Sequence, residues 1–209
     1  MEIDLNYKTE QEKFWASEEW GKEYIERNSY SLVKNNIGFF SKILNRTAGI
    51  KSIIEFGSNI GLNLIALKNL LPDAKYAAIE INKDACAELE KLGFINIYNQ
   101  SLFDFDVKET RNLVFIKGVL IHINPDYLDV VYKKLYDTSD KYILIAEYYN
   151  PTAVEVKYRG HECKLFKRDF AGEIMDKYSD LKLVDYGFSY HRDNNFTQDD
   201  ITWFLLEKK

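Results

Sequence analysis

The chain has 209 residues, 46% hydrophobic and 29% charged, enough for one domain with a sizeable core. A formal net charge of −5 argues against a broad basic nucleic-acid footprint, and no apolar run reaches the ~20 residues of a membrane span. The polar opening MEIDLNYKTEQEKFW lacks the basic-then-apolar order of a signal peptide. Cys86 and Cys163 stand at no disulfide or metal spacing. The expectation is a reduced, cytoplasmic protein with neither nucleic acid nor membrane as partner; its oligomeric state stays open.

Residues 1–48 read as an N-terminal helical cap on a core of residues 49–209, the whole forming a single domain. Thr9 followed by Glu12 fits a capping box, and Phe14, Trp15, Trp20 and Tyr24 suit an amphipathic segment. Leu32, Asn36, Phe39, Phe40, Ile43 and Leu44 give a second helical pattern, ended by Gly49. Strands and helices then alternate. Strands are predicted over 51–56, 76–81, 95–98, 113–117 and 142–147. Between them lie helices over 62–71, stopped by Pro72, over 83–92, capped by Asn82, and from Pro125 to about 136. This alternation predicts an α/β fold with a parallel, Rossmann-like sheet. Residues 150–167 read as an irregular insertion, followed by a helix over 169–178. Strands over 183–190 and 201–207, with no long helix between them, predict an antiparallel end to a seven-stranded sheet.

The first strand runs into a glycine turn, IIEFGSNIGLN, at 53–63. A dinucleotide turn needs G-x-G-x-x-G, and Asn59 and Leu62 stand where two of those glycines belong; a P-loop needs a spacing and a lysine this turn lacks. What remains is Glu55 two residues before Gly57, with Gly61 following. A carboxylate there attracts an ammonium group, the glycines let a ligand near the backbone, and the helix start near Ile60 offers N–H groups to a carboxylate. Glu80, in AAIEIN, lies 23 residues after Gly57, where an acid holds ribose hydroxyls in nucleotide-binding folds. An amino acid joined to a ribose describes S-adenosylmethionine.

IIEFGSNIGLN, AAIEIN, NQSLFDF and FIKGVLIHIN resemble, in order over residues 53–124, the cofactor motifs of class I S-adenosylmethionine-dependent methyltransferases. The two trailing strands resemble the reversed hairpin that closes that family's sheet. The flanks TEQEKFWASEEWGKEYIERN, AEYYNPTAVEVKYRGHECKLFKRDFAGEIMDKY and DDITWFLLEK look like the methyltransferases associated with pseudaminic acid biosynthesis. The resemblance implies S-adenosylmethionine as cofactor and S-adenosylhomocysteine as product. It places Glu55, Gly57, Ser58, Asn59 and Gly61 around the methionine part, Glu80 on the ribose and Ile81 on the adenine. Ser101, Leu102 and Phe103 match the adenine edge, where Asp104 caps or contacts; Lys117 and Gly118 lie beside the reactive methyl. Asn59 replaces a common glycine, and either contacts the cofactor or turns the loop. Ile121 stands where relatives with GVLEHI carry glutamate, so no metal is expected. The implied reaction is O- or N-methylation of a small anionic sugar acid of the nonulosonic (pseudaminic) type, or of its activated or acyl-substituted form. Methylation of an assembled glycan or protein, and a catalytically silent cofactor-binding subunit, stay open as alternatives.

For the chemistry, His122 follows the fourth strand and is the first candidate for a base or substrate contact; the alternative is a bond to a neighbouring loop. Tyr148 and His161 are further catalytic candidates, while His191 reads equally as a surface residue. Tyr149 and Asn150 leave the fifth strand on the same edge, with side chains suited to a pocket wall. The insertion is locally basic, with Lys157, Arg159, His161, Lys164, Lys167 and Arg168, and Arg159 and Arg168 are the expected grip on an anionic acceptor. Phe14, Trp15 and Tyr24 either cover the site as a lid or pack flat on the domain.

Overall fold

The architecture is that of a computed structural model in which residues 7–17, 31–158 and 161–209 are described. Helix α1, Glu10–Ala16, opens with the expected capping box: the Glu12 N–H donates to Thr9 Oγ1 at 3.1 Å, and the Thr9 N–H donates to the Glu12 carboxylate at 3.0 Å. Trp20 and Tyr24 lie outside the described residues. Helix α2, Leu32–Leu44, turns Phe39, Phe40 and Ile43 inward at helical spacing.

The core is one sheet wrapped by helices. Its strands are β1 (Ser52–Phe56), β2 (Lys75–Glu80), β3 (Ile95–Asn99), β4 (Arg111–Lys117), β5 (Ser139–Glu147), β8 (Leu181–Ser189) and β9 (Ile201–Lys208). They lie in the order β3-β2-β1-β4-β5-β9-β8, all parallel except β9, which pairs antiparallel with both β5 and β8. Helices α3 (Leu62–Leu70), α4 (Lys83–Glu90) and α5 (Leu128–Thr138) make the crossovers. Helix α6, Phe170–Lys177, precedes the closing hairpin, with Asp169 as its N-cap rather than its first residue.

Strand alternation divides the core in two. Ile54, Phe56, Val114, Ile116, Ile143 and Ile145 face α5 and α6, while Ile53, Leu113, Phe115 and Leu144 face α2 and α3. Strands buried on both faces read as continuous apolar runs, which is why periodicity located them well. Phe40 of α2 meets Phe115 of β4 edge-on, with ring centroids 5.4 Å apart.

The insertion is a correction. Residues 150–167 are not irregular: β6, Val154–Tyr158, and β7, His161–Lys167, form an antiparallel hairpin. Its signal was the alternation in VEVKY, masked by charged residues on an exposed strand. The two residues joining the strands, including Arg159, lie outside the described residues, as does the side chain of His161. Pro125 also begins a 3-10 turn, Pro125–Tyr127, before α5 proper. Among the described residues no helix is long and apolar enough to cross a membrane.

Candidate active site

A cavity of about 360 Å³ opens at the carboxyl ends of β1, β2 and β4, where ligands meet parallel sheets. Its floor is the turn after β1. Gly57 adopts φ +77°, and a Cβ there would lie 2.7 Å from Val119 Cγ2, so only glycine fits. Its N–H donates to the Ile79 carbonyl at 2.8 Å, tying the turn to β2. Asn59 also has a positive φ, +48°, and its Oδ1 accepts the Ile60 N–H at 2.6 Å. Asparagine therefore turns the loop through its own side chain. Gly61 does not line the cavity. A Cβ on it would meet Leu89 Cδ2 at 2.6 Å, so its role is to seat α4 against the turn.

Glu80 borders the cavity at the end of β2. Its two oxygens accept the Asn82 N–H at 2.8 Å and the Asn59 N–H at 2.7 Å. Burial raises its pKa, opposed by these backbone bonds. Glu55 is set back from the wall and only 1% exposed. Its Oε1 accepts from Asn63 Nδ2 at 2.7 Å, and Asn63 is the residue that reaches the cavity. Burial pushes the Glu55 carboxyl up to about 8, against the lowering effects of the Asn63 bond and Lys117. Glu55 itself does not line the cavity, whereas Asn63, to which it is bonded, does.

Three polar atoms at this end lack a hydrogen-bond partner among the described residues: Ser58 Oγ, Asn63 Oδ1 and Glu55 Oε2. A buried unpaired polar group costs roughly 1–3 kcal/mol. Such a cluster fits a ligand that brings polar groups of its own. Lys117 lines the same end, half-buried, its pKa lowered by burial and supported by Glu55, Asp199 and Glu147.

Ile81, Ser101, Leu102 and Phe103 line the opposite end, as expected of an adenine pocket, while Gly118 lies with Lys117 and Val119. Ser101 Oγ donates to Glu12 Oε1 and accepts the Phe103 N–H, so it braces the wall. Asp104 pairs with Lys8 and does not reach the cavity. The roof is α1, from which Gln11, Glu12 and Trp15 face inward. Asn82 Nδ2 holds it by donating to the Trp15 and Ser17 carbonyls, each at 3.3 Å. This resolves Trp15 as a cover over the cavity. Phe14 instead faces Lys164 of the hairpin, with Nζ 5.6 Å from the ring centroid.

His122 also lines the cavity, packed between Trp15 and Tyr158 at centroid distances of 4.6 and 5.0 Å. Its Nδ1 lies 2.7 Å from the Lys164 carbonyl, which can only accept, so Nδ1 carries the proton and Nε2 is bare. Burial lowers its pKa to about 4, opposed by that bond. His122 is neutral at pH 7 and a weak base. The turn that carries it, Leu120–His122, is held by Glu147, whose Oε1 accepts the Val119 and Leu120 N–H groups at 2.9 Å.

Other expected residues lie elsewhere. Tyr148 and Tyr149 line a second, outer depression. Asn150 closes a local turn by donating to the Thr152 carbonyl at 2.6 Å, and lines neither space. Arg168 Nε donates to Glu173 at 2.5 Å, which ties the end of β7 to α6, and Arg168 lines neither space. Sequence reasoning missed Asn36, Gln198 and Asp199, which close the far end of the cavity; Gln198 Nε2 donates to Asn36 Oδ1 at 3.0 Å. Asn36 did carry a signal, a polar side chain on the apolar face of α2. Cys86 is buried, its thiol pushed up to about 12 mainly by burial, and takes no part.

No family model matches the chain, and no curated protein matches it; the narrower likeness to pseudaminic acid methylases thus finds no support there. Solved structures do match. The plantazolicin methyltransferase BpumL, in complex with SAH, superposes with a TM-score of 0.67 at 14% identity, over 95% of this chain and 94% of its own. The 1,6-didemethyltoxoflavin-N1-methyltransferase of Burkholderia thailandensis, with bound 1,6-didemethyltoxoflavin and S-adenosylhomocysteine, gives 0.67 at 12% identity over 95% and 87%. The glycopeptide N-methyltransferase MtfA, complexed with S-adenosylhomocysteine, gives 0.63 at 10% identity over 84% and 90%. The chain has the class I S-adenosylmethionine-dependent methyltransferase fold.

Proposed function

We propose that the protein is an S-adenosylmethionine-dependent methyltransferase acting on a small acceptor. The observation that carries this reading is one cavity with a ribose-type acid, Glu80, at the end of β2 and unpartnered Ser58 and Asn63 atoms beyond the β1 turn. The residues present fit the cofactor. Glu80 keeps lone pairs for two ribose hydroxyls beside its backbone bonds. Ile81, Leu102 and Phe103 give the adenine an apolar slot. Asn63 Oδ1, backed by Glu55, accepts from the ammonium, and that positive charge draws Glu55 back to its ionised form. Lys117 and Ser58 Oγ would hold the cofactor's carboxylate. When bound, the cofactor supplies an electrophilic methyl on sulfonium, and the C–S electrons return to sulfur on transfer.

The neighbours' own ligands support this reading: they are complexed with S-adenosylhomocysteine, and one holds a small-molecule substrate. His122 Nε2 accepts a hydrogen bond from the ligand of the inner cavity and orients it, without taking up a proton. Trp15 and α1 exclude water from above. The acceptor is a small anionic molecule, of which a sugar acid is the instance the sequence resemblance implies. Because Arg168 is committed to Glu173, its counter-ion is Lys167, in the outer depression.

Calorimetric titration with S-adenosylmethionine, S-adenosylhomocysteine and a nicotinamide dinucleotide tests the reading. Binding of the two sulfur compounds alone is expected. Binding of the dinucleotide, or of none of the three, overturns it.

A further inference from the structure

Beside the cavity lies a second depression of about 380 Å³, lined by Tyr148, Tyr149, Lys167, Phe188, Asp200 and Thr202. It shares two wall residues with the cavity, His191 and Asp199. His191 therefore stands between the two spaces and borders both. That histidine is held in a defined way. Its backbone N–H donates to Asp200 Oδ1 at 3.0 Å, and its Nδ1 lies 2.9 Å from both Asp200 oxygens. Asp200 sits at φ +50°, a backbone conformation that a non-glycine residue adopts at some cost. The two bonds to His191 keep its carboxylate ionised, the backbone bond first and the ring bond second. An imidazole whose Nδ1 donates to a carboxylate presents a bare Nε2 on its other side.

We infer that His191, oriented by Asp200, is the general base of the reaction, and that the outer depression holds the acceptor, a small ring-shaped hydroxy acid. This rests on the methyltransferase reading and adds to it the base and the acceptor's place. Tyr149 and Phe188 are 41% and 58% exposed, so part of each ring is open to a flat carbon surface. Lys167 Nζ stands 5.1 Å from the Tyr148 ring centroid and is the lysine of a lining that also holds Asp199 and Asp200, so it meets an acceptor carboxylate on the Tyr148 side. His191 takes the hydroxyl proton: the acceptor O–H bond breaks, an N–H bond forms at Nε2, and the electron pair stays on the acceptor oxygen. Asp200 stays ionised and stabilises the imidazolium until it loses the proton to solvent. His122 is the poorer base, because burial penalises the imidazolium it would have to form.

Flat faces occur in aromatic rings and in sugars, so two probes separate the sources: 4-hydroxybenzoate and N-acetylneuraminate. The full chain, labelled with 15N-histidine and saturated with S-adenosylhomocysteine, is titrated with each. At least one probe is expected to shift the His191 imidazole signals and leave those of His122 in place. Lys167→Ala and Phe188→Ala each raise that probe's Kd about tenfold, with S-adenosylhomocysteine affinity unchanged. With S-adenosylmethionine, the probe that binds is methylated, and His191→Gln lowers kcat at least tenfold with KM within twofold. An unchanged kcat in His191→Gln removes the base. Neither probe touching His191, or no transfer to a bound probe, overturns the acceptor assignment. Because S-adenosylhomocysteine binding is measured first, its absence marks failure of the methyltransferase reading instead.

Discussion

The inner cavity and the outer depression are two spaces that share a wall, and each has its own histidine. His122 belongs to the inner space alone, is 9% exposed, is sealed by Trp15 and Tyr158, and is bonded to a backbone carbonyl. His191 stands in the shared wall with half its side chain in solvent, bonded to a carboxylate. Burial without a counter-charge penalises the imidazolium, whereas a facing carboxylate favours it. The same side chain is thus a fixed hydrogen-bond acceptor in one space and suited to proton transfer in the other. The inner space is built from strand-end turns and holds a ligand of fixed shape. The outer one comes from the last hairpin and β7, and its open aromatic faces leave the acceptor variable.

Variants that strike one space and spare the other test this division. The largest effect is expected from Gly57→Val, which forces a β-branched residue to φ +77° and into Val119. A stability loss of about 3 kcal/mol should appear in denaturant titration together with lost S-adenosylhomocysteine binding. A variant that folds and binds normally would show that the turn relaxes. Glu80→Ala should weaken S-adenosylhomocysteine binding about ten- to a hundredfold by calorimetry, with acceptor-probe contacts at His191 retained. Equal loss of both would break the separation.

Glu147 gives a pH test of the inner space. Burial raises its carboxyl to about 7, against the lowering effect of three backbone bonds. A folded-state pKa above the unfolded value of about 4.5 stabilises fully at low pH. That contribution is lost as pH rises from the unfolded value through 7. Glu147→Gln keeps the acceptor for Val119 and Leu120 and removes the ionisation. Its melting temperature should gain on the parent's between pH 5 and 8, by an amount equivalent to about 2 kcal/mol. A constant difference would mean that Glu147 does not titrate in this window. The smallest effect is expected from Arg168→Ala. Breaking its half-buried pair with Glu173 should cost about 0.5–1 kcal/mol and leave binding of the cofactor product and of the acceptor probes unchanged. A selective loss of probe binding would return Arg168 to the acceptor site.

How far the sequence could be read depended on how local each signal was. The Asn82 cap and the Thr9–Glu12 box were legible because each is fixed by contacts within a few residues, and the β1 turn because its glycines and Asn59 are demanded by its own backbone angles. The central strands were legible because burial on both faces leaves uninterrupted apolar runs. The β6–β7 hairpin was missed because its exposed alternation carries little hydrophobic contrast. Glu55 showed its acid but not the asparagine in front of it, eight residues on.

The sequence by itself determined the fold class, the strand-turn-helix that shapes the cofactor end and the position of Glu80, since period and turn chemistry act over short spans. Only the tertiary structure decided the rest. It folded α1 over the cavity through a bond between residues 12 and 101. It withdrew Arg168 to Glu173 and brought Tyr149, Lys167, Phe188 and His191 around one depression. Those side chains come from segments far apart in the chain. Their meeting depends on the sheet order β4-β5-β9-β8, in which the last strand of the chain inserts beside the fifth, and no local pattern encodes which distant charge a side chain will find.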